Sequence, residues 1–414
     1  MLLMTEALAN DPLADLDLFK EVAPKSNGWR TDAYVESRFH IRENGERLSL
    51  RQRFWGQLHY QSNDGVTTQF TDEGVWGGLV SVFADYDPER RSFDDITDIR
   101  LHEAYWQYEQ QSWRFTVGKR RITWGTSDGR NTFDLINPID LSDPLASGSN
   151  STRLSTLVAG GQWTSGQHSV ELWLLPMAAV NEQPVFGDPW ELTSVNQLRR
   201  DSRSGKILLT ESKAPRHQEL AWRYSHHGKG LDYSLLFFDG YIDDPIILRS
   251  GDGFFTEYER YQAYGAQLAL GLGQSTIRAE FAYKPDFPLA SANFIFNPSD
   301  VNQLIIGWDR NLESDRYINV QAFFDRYSQP DVPDHYGITF ALSDQFLNES
   351  LTIGVRGLND FSTHEYAVET YAHYQFDDHL NVKTGRYWIN GDEGSIYQDY
   401  HRNAFTYFQV SYQF

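Results

Sequence analysis

The 414-residue chain contains no cysteine, which excludes disulfide frameworks, thiolate metal sites and cysteine nucleophiles. It also lacks any run of about 18 apolar residues, so no helix it forms can cross a bilayer. Basic residues are the minority: 36 Lys and Arg stand against 57 Asp and Glu, for a net charge of −21. Nucleic-acid binding needs clustered cations that displace counterions, so this balance argues against a nucleic-acid partner. Neither an H-x-x-H pair nor an EF-hand loop is present, and Asp331-Val332-Pro333-Asp334 reads as a turn, so no metal site is assigned. His40, His59, His102 and His226-His227 are scattered, with no nucleophile at a spacing that would pair with them. No catalytic residue is therefore assigned, and an enzyme is the least favoured class.

Aromatic residues are abundant, at 15% of the chain (23 Tyr, 26 Phe and 12 Trp). Mean hydropathy is nonetheless −0.54. The two reconcile if apolar and polar side chains alternate. In residues 48–61, Leu48, Leu50, Phe54, Leu58 and Tyr60 share one parity, and Arg51, Arg53, Gln57, His59 and Gln61 the other. Ile277, Ala279, Phe281 and Tyr283 alternate with Arg278 and Glu280. Ile318, Val320, Ala322 and Phe324 alternate with Asn319, Gln321 and Asp325, and Leu351, Ile353 and Val355 with Thr352 and Arg356. About 18 such segments are expected (16–18), each near the roughly 9–11 residues that a tilted strand needs to cross a bilayer. A propeller repeat of about 40–50 residues is absent. The fold class is therefore all-β, a transmembrane antiparallel up-and-down β-barrel.

Short turns at 110–112, 165–167, 227–229, 273–274, around Asn311 and at 377–378 alternate with long polar stretches at 87–96, 125–154, 177–216, 240–258, 285–300 and 390–401. Bacterial barrels have short periplasmic turns and long extracellular loops, which puts both chain ends in the periplasm. Only 62–73 is too long for its periplasmic place. The acidic excess gathers in segments read as loops, Asp85-Tyr86-Asp87 and Asp94-Asp95 among them. It serves solvation or, in a sharper reading, divalent cations bridging to lipopolysaccharide; no other cofactor is expected. Before the barrel (29–414) come two pieces. Residues 1–9 read as a signal-peptide remnant, ending in Ala7-Leu8-Ala9, or as a tag. Residues 10–28 read as a periplasmic or plug segment with a short helix near 12–23.

The last strand places Phe408, Val410, Tyr412 and Phe414 opposite Gln409, Ser411 and Gln413. A terminal aromatic with apolar residues at every second position resembles the signal read by the barrel-assembly machinery. That machinery would pair with this edge before the barrel closes.

The most distinctive stretch runs Gly118-Lys119-Arg120-Arg121-Ile122-Thr123-Trp124-Gly125, followed by Asp128, Arg130, Phe133-Asp134-Leu135-Ile136-Asn137-Pro138-Ile139-Asp140 and Leu141. The strand is read as leaving the bilayer at Trp124-Gly125. Phe133, Leu135, Ile136, Ile139 and Leu141 need burial, so the loop 125–154 is expected to fold into the lumen as a constriction. The alternative is an apolar cap over the mouth. With Glu103-Ala104-Tyr105, this stretch resembles a group of proteobacterial porin-like outer-membrane barrels. In them, E-A-Y precedes G-[KR]-x-x-x-x-W-G and N-P-x-D follows. Here the resemblance spans Glu103 to Asp140, and Asn137-Pro138-Ile139-Asp140 is its closest part. It implies a porin-like channel of the outer membrane. Because some members are encoded beside inner-membrane exporters, it also implies a second role as a plugged barrel passing lipid-like or apolar molecules to or from a periplasmic or inner-membrane partner.

Arg51, Arg53, Arg114, Arg120, Arg223, Arg278, Glu280 and Arg356 fall on the water-facing parity and are the candidate pore-lining residues. Charged rings set ion preference in pores, and an arginine excess would favour anions. Alternatively, these side chains simply pair with one another inside the barrel. Trp55, Trp106, Tyr108, Trp113, Trp163 and Trp222 are expected in the interfacial girdles, or else in a greasy slide.

Overall fold

The computed structural model describes residues 28–62, 74–90, 97–125, 130–145, 152–312 and 316–414. The alternating segments named above form strands. In chain order the strands are β1 (Gly28–Arg42), β2 (Arg47–Gln61), β3 (Val75–Tyr86), β4 (Thr97–Gln110), β5 (Trp113–Arg120), β6 (Thr156–Ser165), β7 (His168–Leu175), β8 (Leu208–Thr210), β9 (Glu219–His227) and β10 (Leu231–Tyr241). They continue with β11 (Ile246–Ser250), β12 (Gly253–Glu257), β13 (Arg260–Leu272), β14 (Ser275–Phe287), β15 (Ser299–Leu312), β16 (Arg316–Tyr327), β17 (His335–Phe346), β18 (Leu351–Asp360), β19 (Glu365–Gln375), β20 (Leu380–Asn390) and β21 (Phe405–Gln413). Among the described residues two α-helices, α1 (Thr193–Arg203) and α2 (Ile396–Tyr400), sit in loops.

Eighteen of these strands form one sheet in which each pairs antiparallel with its neighbours in sequence. The sheet closes where β1 meets β21, from Tyr34 opposite Gln413 to Arg42 opposite Phe405. Closure satisfies every ladder without leaving an edge, which a chain in lipid requires. The remaining three, β8, β11 and β12, form a small separate sheet from two long loops, with β8 parallel to β12.

The alternation sorts side chains as expected. Phe54, Leu58, Phe281, Val320, Phe324 and Ile353 point out and stay exposed, whereas Arg53, Glu280, Gln321 and Asp325 point in and are buried. An exposed apolar belt around a polar interior is the outer-membrane barrel type. The terminal strand follows the same rule, with Phe408, Tyr412 and Phe414 outward and Gln409 and Ser411 inward. Near the short-turn end, rings line up in adjacent strands. Trp29 lies 4.8 Å from Tyr60, Tyr60 4.9 Å from Trp76, and Trp113 6.3 Å from Trp163, ring centre to ring centre.

Several local readings need correction. Leu48 does not face lipid. The β1–β2 register shifts between His40 and Ile41, skipping Leu48, and its side chain drops into a buried cluster with Leu145 and Trp190. Trp55 is not in a girdle; it points inward and stacks on Tyr34 at 5.3 Å. Asp85 lies in β3 rather than in a loop, facing the lumen, and Asp87 is fully buried. Residues 1–27, the connection 63–73, Asp94-Asp95 and Asp128 lie outside the described residues.

Apart from the β2–β3 connection, the long connections emerge at one end. Residues 176–218 span from β7 to β9 and meet the β20–β21 connection almost half the barrel's circumference away. Trp190 packs edge-on against Tyr400 at 5.2 Å, Asn403 Nδ2 donates to the Pro189 carbonyl at 2.7 Å, and the Thr193 amide donates to Asp399 at 3.0 Å. This loop straps the mouth.

Candidate functional site: the lumen and the loop that crosses it

The loop after β5 starts earlier than its sequence indicates. β5 ends at Arg120, not at Trp124-Gly125, because side chains take over the ladder there. The Arg121 amide donates to Glu103 Oε1 at 2.9 Å. Asn137 then receives the Ile122 amide at 3.1 Å and donates to the Ile122 carbonyl at 3.0 Å. An amide side chain that mimics a strand partner explains why asparagine opens the N-P-x-D segment.

From this root, the described part of the loop (121–125, 130–145 and 152–155) runs across the interior. Its first half meets the wall of β13 to β16, five to eight strands around an eighteen-stranded barrel. Arg130 forms an ion pair with Asp325 of β16, with both side chains at most 3% exposed, and its guanidinium lies 4.4 Å over the Phe323 ring. The Arg130 amide donates to Gln321 Oε1 at 3.2 Å, and Thr132 donates to Glu280 of β14 through its amide at 3.0 Å and its hydroxyl at 3.2 Å. Gln267 of β13 donates to the Trp124 carbonyl at 3.0 Å.

Apolar packing completes this half. Ile122, Trp124, Phe133, Leu135 and Ile136 bury themselves with Val158, Trp173, Leu175, Ala221, Leu236 and Phe238. Those partners are inward-facing strand positions that would otherwise be wet. Each large apolar side chain so buried contributes about 1.5–3 kcal/mol. Gly265 makes the seat for Phe133, since a Cβ there would stand 2.2 Å from the ring. Trp124 Nε1 donates to Glu171 at 3.1 Å, which also receives Trp173 Nε1 at 3.2 Å and Arg223 Nε at 3.0 Å.

The second half is acidic and lies against a basic wall. Asp143 meets Arg38 of β1, Arg51 of β2 and Arg90 beyond β3, while Arg53 grips Asp85 through two bonds of 2.7 Å. Arg100 of β4 holds Glu182 at 2.6 and 2.7 Å and Asp140 at 3.4 Å. Arg153, at the loop's return, pairs with Asp134. Burial raises the Asp134 carboxyl above its ordinary range although Arg153 opposes this. Asp143 is raised by burial too, but Arg38, Arg51 and Arg90 more than offset that and hold it far below the carboxylate range. Between this wall and the loop root lies a cavity of about 40 Å³ lined by Arg53, Arg100, His102, Lys119, Asp140 and Arg153.

The sequence-derived lumen residues all lie on the inner face but do not form one cluster. Arg51 and Arg53 join the basic wall, and Arg223 joins Glu171 beneath Trp124. Arg278 pairs with Asp309 at 2.9 Å, Arg356 with Glu369, and Arg114 with Glu109. Arg120 donates to Gln107 at 2.9 Å and stacks on Tyr105. Most of the arginines thus have acidic partners, as the plainer interior-pairing reading anticipates. Sequence reasoning missed Arg38, Arg90, Arg100, Asp143 and Glu171. The parity of Val35 and Phe39 on the outward face was the available signal for Arg38; Arg90 and Asp143 sit in loops where no periodicity applies. Among the described residues no three His, Asp or Glu side chains gather as metal ligands.

No family model and no curated protein sequence matches the chain. Solved structures do. The outer membrane protein OpdK of Pseudomonas aeruginosa is 9% identical, covering 93% of this chain and 98% of its own, with a TM-score of 0.58. A structure of OpdK with vanillate gives 10% identity, the same coverage and the same score. OccK5 (OpdH) of P. aeruginosa is 10% identical over 93% of this chain and 98% of its own, at a TM-score of 0.54.

Proposed function

We propose that this barrel is an outer-membrane channel for small solutes, narrowed by the loop that crosses its lumen. The observation that carries this is the docking of Arg130 and Thr132 on Asp325 and Glu280, far around the barrel from the loop's root. A loop held at both walls divides the lumen, so solutes pass beside it. Arg51, Arg53, Arg114, Arg120, Arg223, Arg278, Glu280 and Arg356 line the passage, and Trp124, Asp128, Arg130, Phe133, Asp134, Asn137 and Asp140 belong to the narrowing loop. Where Arg38, Arg51 and Arg90 meet the single carboxylate of Asp143, guanidinium exceeds carboxylate locally, and this favours small anions as the solute class. OpdK, of the same barrel type, has been solved with vanillate, a carboxylate. Reversal potentials across a salt gradient in planar bilayers test this: anion preference supports it, and cation preference or no current opposes it.

The strap of residues 176–218 over the mouth supports a second reading, a plugged barrel working with an export system for apolar molecules. Such a barrel stays electrically silent even without the strap. In either reading Phe408, Val410, Tyr412 and Phe414 present the chain to the assembly machinery, and the outward loops face lipopolysaccharide, with divalent cations bridging acidic loop residues.

A further inference from the structure

Three guanidinium groups converge on one carboxylate oxygen where the loop's second half reaches the wall. Arg38 Nη2 lies 2.7 Å from Asp143 Oδ2, Arg51 Nη1 3.1 Å and Arg90 Nη1 3.3 Å. All four side chains are at most 4% exposed. The other nearby carboxylates are engaged mainly elsewhere, Asp85 reaching the cluster only at 3.9 Å from Arg51 Nε. Asp85 accepts both bonds from Arg53, and Asp87 accepts from the Ser49 hydroxyl at 2.6 Å and the Leu50 and Glu89 amides at 3.0 Å. Arg38 still has Nε and Nη1 without a hydrogen-bond partner. The cluster therefore offers more donors than one aspartate consumes, in a place where an unpaired guanidinium is costly.

The two sides of this contact differ in how firmly they are held. Arg38 and Arg51 stand on paired strands. Asp143 stands on a loop segment fixed by the Leu141 amide on the Glu182 carbonyl at 2.9 Å, by Asp140 receiving the Ser142 amide at 2.9 Å, and by Leu145 packed near Trp190. We infer that Arg38, Arg51 and Arg90 form a carboxylate seat that Asp143 occupies as a tethered ligand. The carboxylate of an anionic solute exchanges with Asp143 there, freeing the 141–145 segment. The guanidiniums keep Asp143 ionised, so exchange by another anion, not protonation, releases it. The solute's onward passage rests on the channel reading; the seat itself rests on the geometry alone.

Two measurements on the purified full-length barrel test the seat. Asp143→Gly vacates it and lowers the temperature at which the folded, heat-modifiable band is lost. Formate at constant ionic strength should restore most of that loss, whereas chloride, a weaker hydrogen-bond acceptor for guanidinium than a carboxylate oxygen, should restore far less. In the otherwise native chain, Leu145→Cys supplies the sole thiol, buried beside the seat. Benzoate should speed its maleimide labelling roughly tenfold over equimolar chloride, as expected for a ligand that binds only the released state. Leu141→Cys, likewise buried in the released segment, serves if Leu145→Cys misfolds. Equal stability of Asp143→Gly in formate and chloride, or equal labelling rates in benzoate and chloride, would overturn the inference. Rescue and labelling that succeed in a barrel without conductance would leave the seat standing and sink the channel reading instead.

Discussion

Replacing Arg130 with methionine should release the cross-lumen loop from the far wall. The substitution keeps most of the side chain's volume and removes its charge. Asp325 would remain in place, 1% exposed, with the Gln303 amide at 3.2 Å as a remaining donor. Breaking one side of a buried pair costs roughly 3–5 kcal/mol, because the surviving charge is left uncompensated. The strand ladders around Asp325 hold the barrel closed, so the least costly response is for the loop to leave and admit water to the carboxylate. At 1.36 kcal/mol per tenfold change, the docked-to-released ratio falls by about two to three and a half decades. In single-channel records this appears as frequent, long excursions to a higher conductance that are rare in the native protein. Arg130→Met with Asp325→Leu should return the loop toward its docked state, since an apolar pair in place of a buried ion pair is often neutral or stabilising. A folded Arg130→Met barrel with native conductance and native noise would show that this ion pair does not hold the loop.

The same loop can be dislodged from the wall side. Gly265→Val places side-chain atoms where Phe133 sits, and should raise conductance while leaving the heat-modifiable band intact. Asp244 carries an acid-strengthened contact between two mouth loops. It is fully buried and accepts from Asn181 at 3.0 Å and Gln183 at 2.6 Å, and burial raises its pKa despite those bonds. A carboxyl raised in the folded state favours that state below the ordinary aspartate value near 3.8 and loses the contribution as pH rises through the folded pKa. Proteolysis of the 176–218 strap should therefore slow on acidification, and Asp244→Asn should flatten the profile. Truncating Phe414, or Phe414→Ala with Tyr412→Ala, should cut the assembled, heat-modifiable fraction several-fold in cells, with little effect on barrel already folded.

The strands were legible because period-two alternation is a local property that lipid on one side and water on the other enforce at each residue. Residues 314–326 and 351–357 could be assigned to faces without any partner in view. The short turns at 165–167 and 273–274 were equally local. What was not legible depends on partners far along the chain. Arg130 finds Asp325 across 195 residues, and nothing near either one indicates the pairing. Leu48 misled because one bulged residue breaks the parity that the rest of β2 obeys. Trp55 obeys that parity, but an aromatic on the inner face was read as a girdle ring. The apolar loop residues Phe133, Leu135 and Ile136 did announce that they required a buried surface. The surface itself, Trp173, Leu236 and Phe238 on the inner wall, looked like ordinary strand residues until the loop lay on them. The strap over the mouth and its small sheet β8–β12–β11 gave no periodic signal, because their strands have only three to five residues.

In the proposed channel this loop narrows an open passage. Deletion of residues 126–144 should widen that passage, which unit conductance in planar bilayers reads out. Stable steps in the native protein that grow larger on deletion are the predicted result. Silence before and after the deletion, in barrels that migrate as folded, would contradict it.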